Sequence, residues 1–210
     1  MSDGGTALEP RPTRNSAPAQ TSPDIDPGVA GAIRLVILDV DGVLTDAGVY
    51  MGRTGSGETI ELKRFDIQDG IGIHLMREVG LDVVLVSGRE SAATDLRAGE
   101  LQIPCYQIAG AYKLGTVERI MRDYDVEWGQ VAMLGDDLPD MAVLKRVGLP
   151  AAVGNATPEI EDAVVWRARA RGGHGAVREF ARALLVARGE WQQAAEVYVA
   201  ERERRPEADA

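Results

Sequence analysis

Asp39 and Asp41 follow the apolar run Leu35-Val36-Ile37-Leu38, with Val40 between them and Gly42 after them. Two carboxylates this close repel, and one tends to hold a proton unless a cation stands beside them. The carboxylate nearer a divalent cation would stay ionised and could act as a nucleophile, while the other could give and take a proton. An Asp-x-Asp pair after an apolar run is also what a plain turn uses, so the rest of the chain has to decide between the two. Ser87-Gly88-Arg89 follows the apolar run Val83-Val84-Leu85-Val86, Lys113 opens an amphipathic stretch, and Gly135-Asp136-Asp137 follows Val131-Ala132-Met133-Leu134. Together these clusters offer an acidic pair, a hydroxyl beside backbone amides, a lysine and a second acidic pair. Any one of them is common in turns; their convergence on one edge would make a site.

The run at 35–38 has no polar alternation, which predicts a parallel strand covered by helices on both faces. Side chains alternate along such a strand, so Asp39 and Asp41 start on the same side. Further strands are predicted at 83–86, 106–108, 131–134, 149–153 and 164–166. Helices are predicted between them: Ile71 to Val79, Ser91 to Glu100, from Lys113 with Leu114, Val117, Ile120 and Met121 facing inward, around Met141, and Pro158 to Ala163. Ala176 to Arg188 and Trp191 to about Arg204 complete the set. This alternation predicts an α/β fold, a Rossmann-like parallel sheet with right-handed crossovers and helices on both faces. All four polar clusters would then lie along the carboxyl edge of the sheet, where such folds bind ligands. Val49-Tyr50-Met51 and Glu58 to Phe65 flank a glycine-rich turn and predict a projecting β-hairpin. Its half-apolar strands would gain by pairing with another subunit.

The 210 residues suffice for one α/β domain. We place a disordered tail at 1–31, rich in Pro, Ser, Thr, Ala and Gly, the domain at 32–188, and a C-terminal helix with a charged tail at 189–210. The start of the chain lacks the basic and apolar segments of a secretory signal, and no apolar run is long enough to span a membrane. A formal net charge of -10 gives nucleic acid or an anionic membrane no electrostatic help. Cys105 is the single cysteine, so no internal disulfide can form, which agrees with a cytoplasmic protein. Cys105 reads as a small buried strand residue, because no histidine or basic cluster stands near it in sequence to activate the thiol.

Asp39-Val40-Asp41-Gly42-Val43-Leu44-Thr45, Ser87, Lys113 and Gly135-Asp136-Asp137-Leu138-Pro139-Asp140 resemble, in order, the four motifs of the haloacid dehalogenase superfamily of phosphatases. The chain is more narrowly similar to the capless subgroup of 3-deoxy-D-manno-octulosonate 8-phosphate phosphatases. That likeness is carried by Val49-Tyr50-Met51-Gly52, Phe65 to Gly70, Ser87-Gly88-Arg89 and Gly172-Gly173-His174-Gly175-Ala176-Val177-Arg178-Glu179. The resemblance runs from about Ile33 to Ala187.

The resemblance implies a phosphatase acting on a sugar phosphate through an aspartyl-phosphate on Asp39, with Asp41 as acid and base. Mg²⁺ would be held by Asp39, the Asp41 carbonyl and Asp136, and Ser87, the Gly88 amide and Lys113 would hold the phosphoryl oxygens. Asp137 would orient Lys113 or the metal waters, and Asp140 would support the site or start a helix. The sugar would be met by Asp66, Asp69, Gly70, His74, Arg89 and Arg97, and by His174 in the glycine loop of a neighbour within a homotetramer. His74 and His174 stand where the octulosonate phosphatases carry arginine, which suits a sugar carboxylate better than imidazole does. The hairpin turn is also longer here. Three alternatives remain open at this stage: the same chemistry on an N-acylneuraminate 9-phosphate or another sugar phosphate, a weakly active assembly module of a sugar-nucleotide pathway, and a phosphomutase.

Overall fold

The computed structural model describes residues 24–203. The described chain opens on helix α1 (Pro27–Ala32), whose first turn is capped by Asp26 accepting from the Val29 amide at 3.0 Å. Strand β1 (Leu35–Leu38) follows, then a π-type turn at Val40–Leu44. The hairpin comes next, as β2 (Tyr50–Arg53) and β3 (Thr59–Leu62), antiparallel and separate from the main sheet. The alternating units are α2 (Ile67–Glu78), β4 (Asp82–Ser87), α3 (Ala92–Leu101), β5 (Cys105–Gln107), α4 (Lys113–Asp123), β6 (Val131–Gly135), α5 (Met141–Leu144), β7 (Leu149–Ala152) and β8 (Trp166–Arg167). Two helices, α6 (Ala176–Ala187) and α7 (Trp191–Glu203), close the described part.

The main sheet is wholly parallel, in the order β5-β4-β1-β6-β7-β8. β1 lies at its centre, and all four of its residues are buried. Its alternation divides the core in two. Val36 and Leu38 pack with Val83, Leu85 and Leu134 beneath α2 and α6, where Ile73, Val177, Phe180 and Leu184 are buried. Leu35 and Ile37 pack with Val84, Val86 and Met133 beneath α4 and α5, where Val117, Ile120, Val143 and Leu144 are buried. This is the three-layer α/β architecture that the sequence predicts. Among the described residues no cap domain stands over the strand ends, and the projecting element is the hairpin.

Three local expectations need correction. The tail predicted for 1–31 ends too late: Pro27–Ala32 is helical, and Ile25, Ala30 and Ile33 are buried in the core. Residues 1–23 of that tail lie outside the described residues. The last strand is shifted to Trp166–Arg167, leaving Val165 exposed, because Trp166 is the residue that packs on Phe180. The segment Pro158–Ala163 is 3₁₀ rather than α-helical. Short polar segments with a leading proline carry too little periodicity to separate the two forms.

Besides the burial of Ile25, Ala30 and Ile33, one side chain fastens α1 to the domain. Arg188 donates to the carbonyls of Ala30 and Ile33, both at 2.9 Å, while Glu190 holds its other nitrogens. Arg188→Met should therefore lower the unfolding free energy by about 1–3 kcal/mol, the range for losing hydrogen bonds from a charged donor. Urea denaturation of parent and variant measures this, and turnover should not change.

Candidate active site

β1 delivers Asp39 directly, and the Asp39 amide still donates to Leu134 of β6 at 3.1 Å. The Asp39 carboxylate is almost fully buried. Its Oδ1 accepts from Lys113 Nζ at 2.5 Å, and the same ammonium donates to Asp140 Oδ1 at 2.6 Å. Asp140 uses its second oxygen to accept the Asp136 amide at 3.0 Å. Carboxylate oxygens of Asp39, Asp136 and Asp140 lie within 4.8 Å of one another. Lys113 sits at the first turn of α4, on the sheet face opposite α2 and α6.

This crowding sets the protonation of the site. Burial, outweighing the attraction of Lys113, raises the Asp39 carboxyl to about 6. Burial, reinforced by Asp39 and Asp140, raises Asp136 to about 8. Burial alone would depress Lys113, but Asp39 and Asp140 more than offset it and hold the ammonium charged. One buried cation among three carboxylates leaves negative charge unbalanced, and the donors are all hard oxygens. A divalent cation such as Mg²⁺ fits that donor set.

Glycines permit the approach of these groups. Gly42 has φ +104°, and a Cβ there would lie 2.0 Å from Asp136 Oδ2. A Cβ on Gly172 would lie 1.7 Å from the Gly42 carbonyl oxygen. The C-terminal glycine loop therefore braces its own chain's Asp41 turn, and the Gly173 amide donates to Val43 at 2.9 Å. Thr45 closes the same turn by donating to the Val40 carbonyl at 3.2 Å.

The structure sorts the residues proposed from sequence. Asp39, Lys113, Asp136 and Asp140 meet in one cluster. Asp41 points elsewhere: its Oδ1 pairs with Lys63 at 2.8 Å and lies 4.0 Å from Arg89. Ser87 ends β4 beside β1, and its hydroxyl is engaged with the Arg89 backbone. Gly88 follows it against Ala111, with no room for a side chain. Asp137 does not orient Lys113. It accepts from the Leu138 amide at 2.7 Å and from the Thr157 hydroxyl at 3.1 Å, and Asp140 takes the orienting role.

Asp66, Asp69, Gly70, His74, Arg97 and His174, predicted as sugar contacts, have other partners within the chain. Asp66 caps α2, accepting from Gln68 at 2.8 Å. Asp69 is buried and accepts the Arg178 amide at 2.8 Å, so it ties α2 to the start of α6. Gly70 makes room for Arg97, which lies over Phe65. His74 meets the edge of Tyr198 on α7, and His174 is exposed, its Nδ1 2.9 Å from the Gly172 carbonyl. Among the described residues, none of Asp66, Asp69, His74, Arg97 and His174 shares a hydrogen bond or ion pair with Asp39, Asp41, Lys113 or Asp136. The sequence reading missed Lys63, although Glu61 and Lys63 are two apart on a predicted strand and so face the same way.

Residues 107–170 match the haloacid dehalogenase-like hydrolases. The chain is 37% identical over 162 residues to the 3-deoxy-D-manno-octulosonate 8-phosphate phosphatase of Escherichia coli strain K12, covering 77% of this chain and 84% of the relative. The chain belongs to that family of phosphatases. It is thus a hydrolase of phosphate monoesters. The corresponding Yersinia pestis structure superposes with a TM-score of 0.74 at 35% identity, covering 82% of this chain and 96% of that one. The Moraxella catarrhalis phosphatase, a complex with a magnesium ion, a phosphate ion and a KDO molecule, gives 0.74 at 30% identity, covering 82% and 97%.

Carboxyls whose folded pKa is raised contribute stability that is lost as pH rises through that pKa. Asp39 at about 6 and Asp136 at about 8 should make the metal-free phosphatase progressively less stable between pH 5 and pH 8.5. Mg²⁺ should restore stability, and more at pH 8 than at pH 6, because protons compete for the same oxygens. Thermal melts in EDTA and in Mg²⁺ across this range measure both effects, and Asp136→Asn should flatten the slope.

Proposed function

We propose that this phosphatase hydrolyses 3-deoxy-D-manno-octulosonate 8-phosphate, or a closely related acidic sugar phosphate, through a phosphorylated Asp39 and with Mg²⁺. The observation that carries this is the buried Asp39–Lys113–Asp140 triad beside Asp136, at the end of the central strand of a chain from this family. Asp39 attacks phosphorus, forming an acyl-phosphate bond as the bond to the sugar oxygen breaks. Asp41 gives that oxygen its proton, then takes one from the water that attacks the same phosphorus and frees Asp39. Lys113 keeps the Asp39 carboxylate oriented and, with the Ser87 hydroxyl and the Gly88 amide, meets the phosphoryl oxygens. Asp39, Asp136 and the Asp41 carbonyl would hold Mg²⁺, which when bound would supply positive charge against the repulsion between a carboxylate nucleophile and a phosphate.

The intact set of acidic groups and lysine favours turnover over the assembly-module reading. The lack of a cap among the described residues favours transfer to water over a mutase. Arg89 supports an acidic sugar, since it lies beside Asp41 at the mouth of the site, where Glu61 holds it at 3.0 Å. The hairpin exposes Tyr50, Met51 and Leu62 on its free strands, which supports assembly into a homotetramer whose neighbours close the site. Among the described residues no helix is long and apolar enough to cross a membrane, in keeping with a cytoplasmic enzyme.

Turnover of a panel of sugar phosphates, with Mg²⁺ and with EDTA, tests the function. The octulosonate phosphate should show the highest kcat/KM and no turnover in EDTA; a neutral hexose phosphate as the preferred substrate would contradict the assignment. Asp39→Asn should retain the fold and lose roughly 10³-fold or more in kcat. Light scattering should show four copies for the parent and fewer once the hairpin is shortened.

A further inference from the structure

Lys63 directly follows β3, and its side chain is fully shielded from solvent. A buried ammonium is costly unless its protons are satisfied. The partners of Lys63 are the Asp41 carboxylate at 2.8 Å, the Thr94 hydroxyl of α3 at 3.1 Å and Glu61 at 3.7 Å. Glu61 is itself fixed by the Ser91 hydroxyl at 2.6 Å and by Arg89 at 3.0 Å. The ammonium is thus held from three sides and ion-paired with one oxygen of Asp41. Both oxygens of Asp41 are shielded from solvent and neither takes a hydrogen bond among the described residues, so the ion pair with Lys63 at 2.8 Å is the contact that holds Oδ1. Lys63 fixes Oδ1, and Oδ2 is left to meet a proton acceptor.

We propose that Lys63 is a positioning residue for the proton transfer by Asp41, and that it makes the placement of the hairpin a condition for that transfer. The chain after Lys63 is pinned where Phe65 bridges to Thr45, and Thr45 closes the Asp41 turn. Any displacement of the hairpin therefore acts on Asp41 through both its backbone turn and its carboxylate. A positioned acid or base contributes about 10²–10⁴-fold, and small misplacements forfeit much of that. The inference rests on the reading of Asp41 as proton donor given above.

The experiment compares kcat/KM for 3-deoxy-D-manno-octulosonate 8-phosphate, whose alkoxide leaving group needs a proton, with p-nitrophenyl phosphate, whose leaving group does not. This parameter reports steps up to alcohol release, so the later water attack does not enter it. Lys63→Met should lose about tenfold more on the sugar phosphate than on the aryl phosphate, and Lys63→Arg should recover part of the difference. Thr94→Val, which removes one support of the ammonium without uncovering a charge, should show a smaller loss of the same kind and serves if Lys63→Met does not fold. Equal losses on both substrates, or a rise confined to KM, would overturn the proposal. Asp41→Asn is the reference. If it shows the substrate-dependent loss and Lys63→Met does not, the proposal fails alone; if Asp41→Asn shows none, the reading of Asp41 fails and takes the proposal with it.

Discussion

Lys113 shares its ammonium between the buried carboxylates of Asp39 and Asp140 at the end of β1, and their arrangement depends on it. Breaking a buried ion pair from one side is far more costly than losing a surface pair, because the remaining charge has no partner. Here two carboxylates share the ammonium, and the second oxygen of Asp140 fixes the Asp136 backbone. Orientation therefore passes from α4 through Lys113 to Asp39, and through Asp140 to the residue best placed to complete a metal site. The charge left over after Lys113 makes the site receptive to a divalent cation. The same excess opposes a phosphate in the absence of one.

The backbone around these groups is shaped by what it lacks. Gly42 allows Asp136 to come close, Gly135 leaves space for Asp140, and Gly172 lets the chain before α6 lie on the Asp41 turn. The glycine loop that the family resemblance assigned to a neighbour's substrate is, within one chain, a brace for the chain's own acid-bearing turn. Asp69, also expected at the substrate, serves that brace from the other side by accepting the Arg178 amide at the start of α6. Burial raises its carboxyl to about 6, a cost that a buried structural acceptor can bear.

Much of this was legible in the sequence, for identifiable reasons. Apolar runs covered on both faces located β1, β4 and β6, and their polar ends located Asp39, Ser87 and Asp136. Lys113 is legible because it opens a strongly amphipathic helix a few residues after a short strand. What could not be read was the division of labour among neighbouring acids. Asp137 and Asp140 differ by less than one helical turn, and only the 3₁₀ turn at Leu138–Asp140 directs the second inward and leaves the first as a cap. Lys63 escaped because a lysine on a hairpin strand has the pattern of a solvated edge; its burial arises from α3, distant in sequence. His74 and His174 are legible only by analogy with arginines, and analogy does not convey which face of α2 packs on α7. The helical Pro27–Ala32 was hidden by a composition that resembles the tail before it.

The central claim is that Asp39, oriented by Lys113, becomes covalently phosphorylated. Rapid quenching of a single turnover, followed by borohydride reduction and peptide sequencing, tests it most directly, since reduction converts an aspartyl-phosphate to homoserine. The account predicts homoserine at position 39 at early times, and at higher levels in Asp41→Asn when the substrate is p-nitrophenyl phosphate, whose departure needs no proton while release to water is slowed. Product formed at the same times with Asp39 unmodified, or homoserine at another acidic residue, would contradict it.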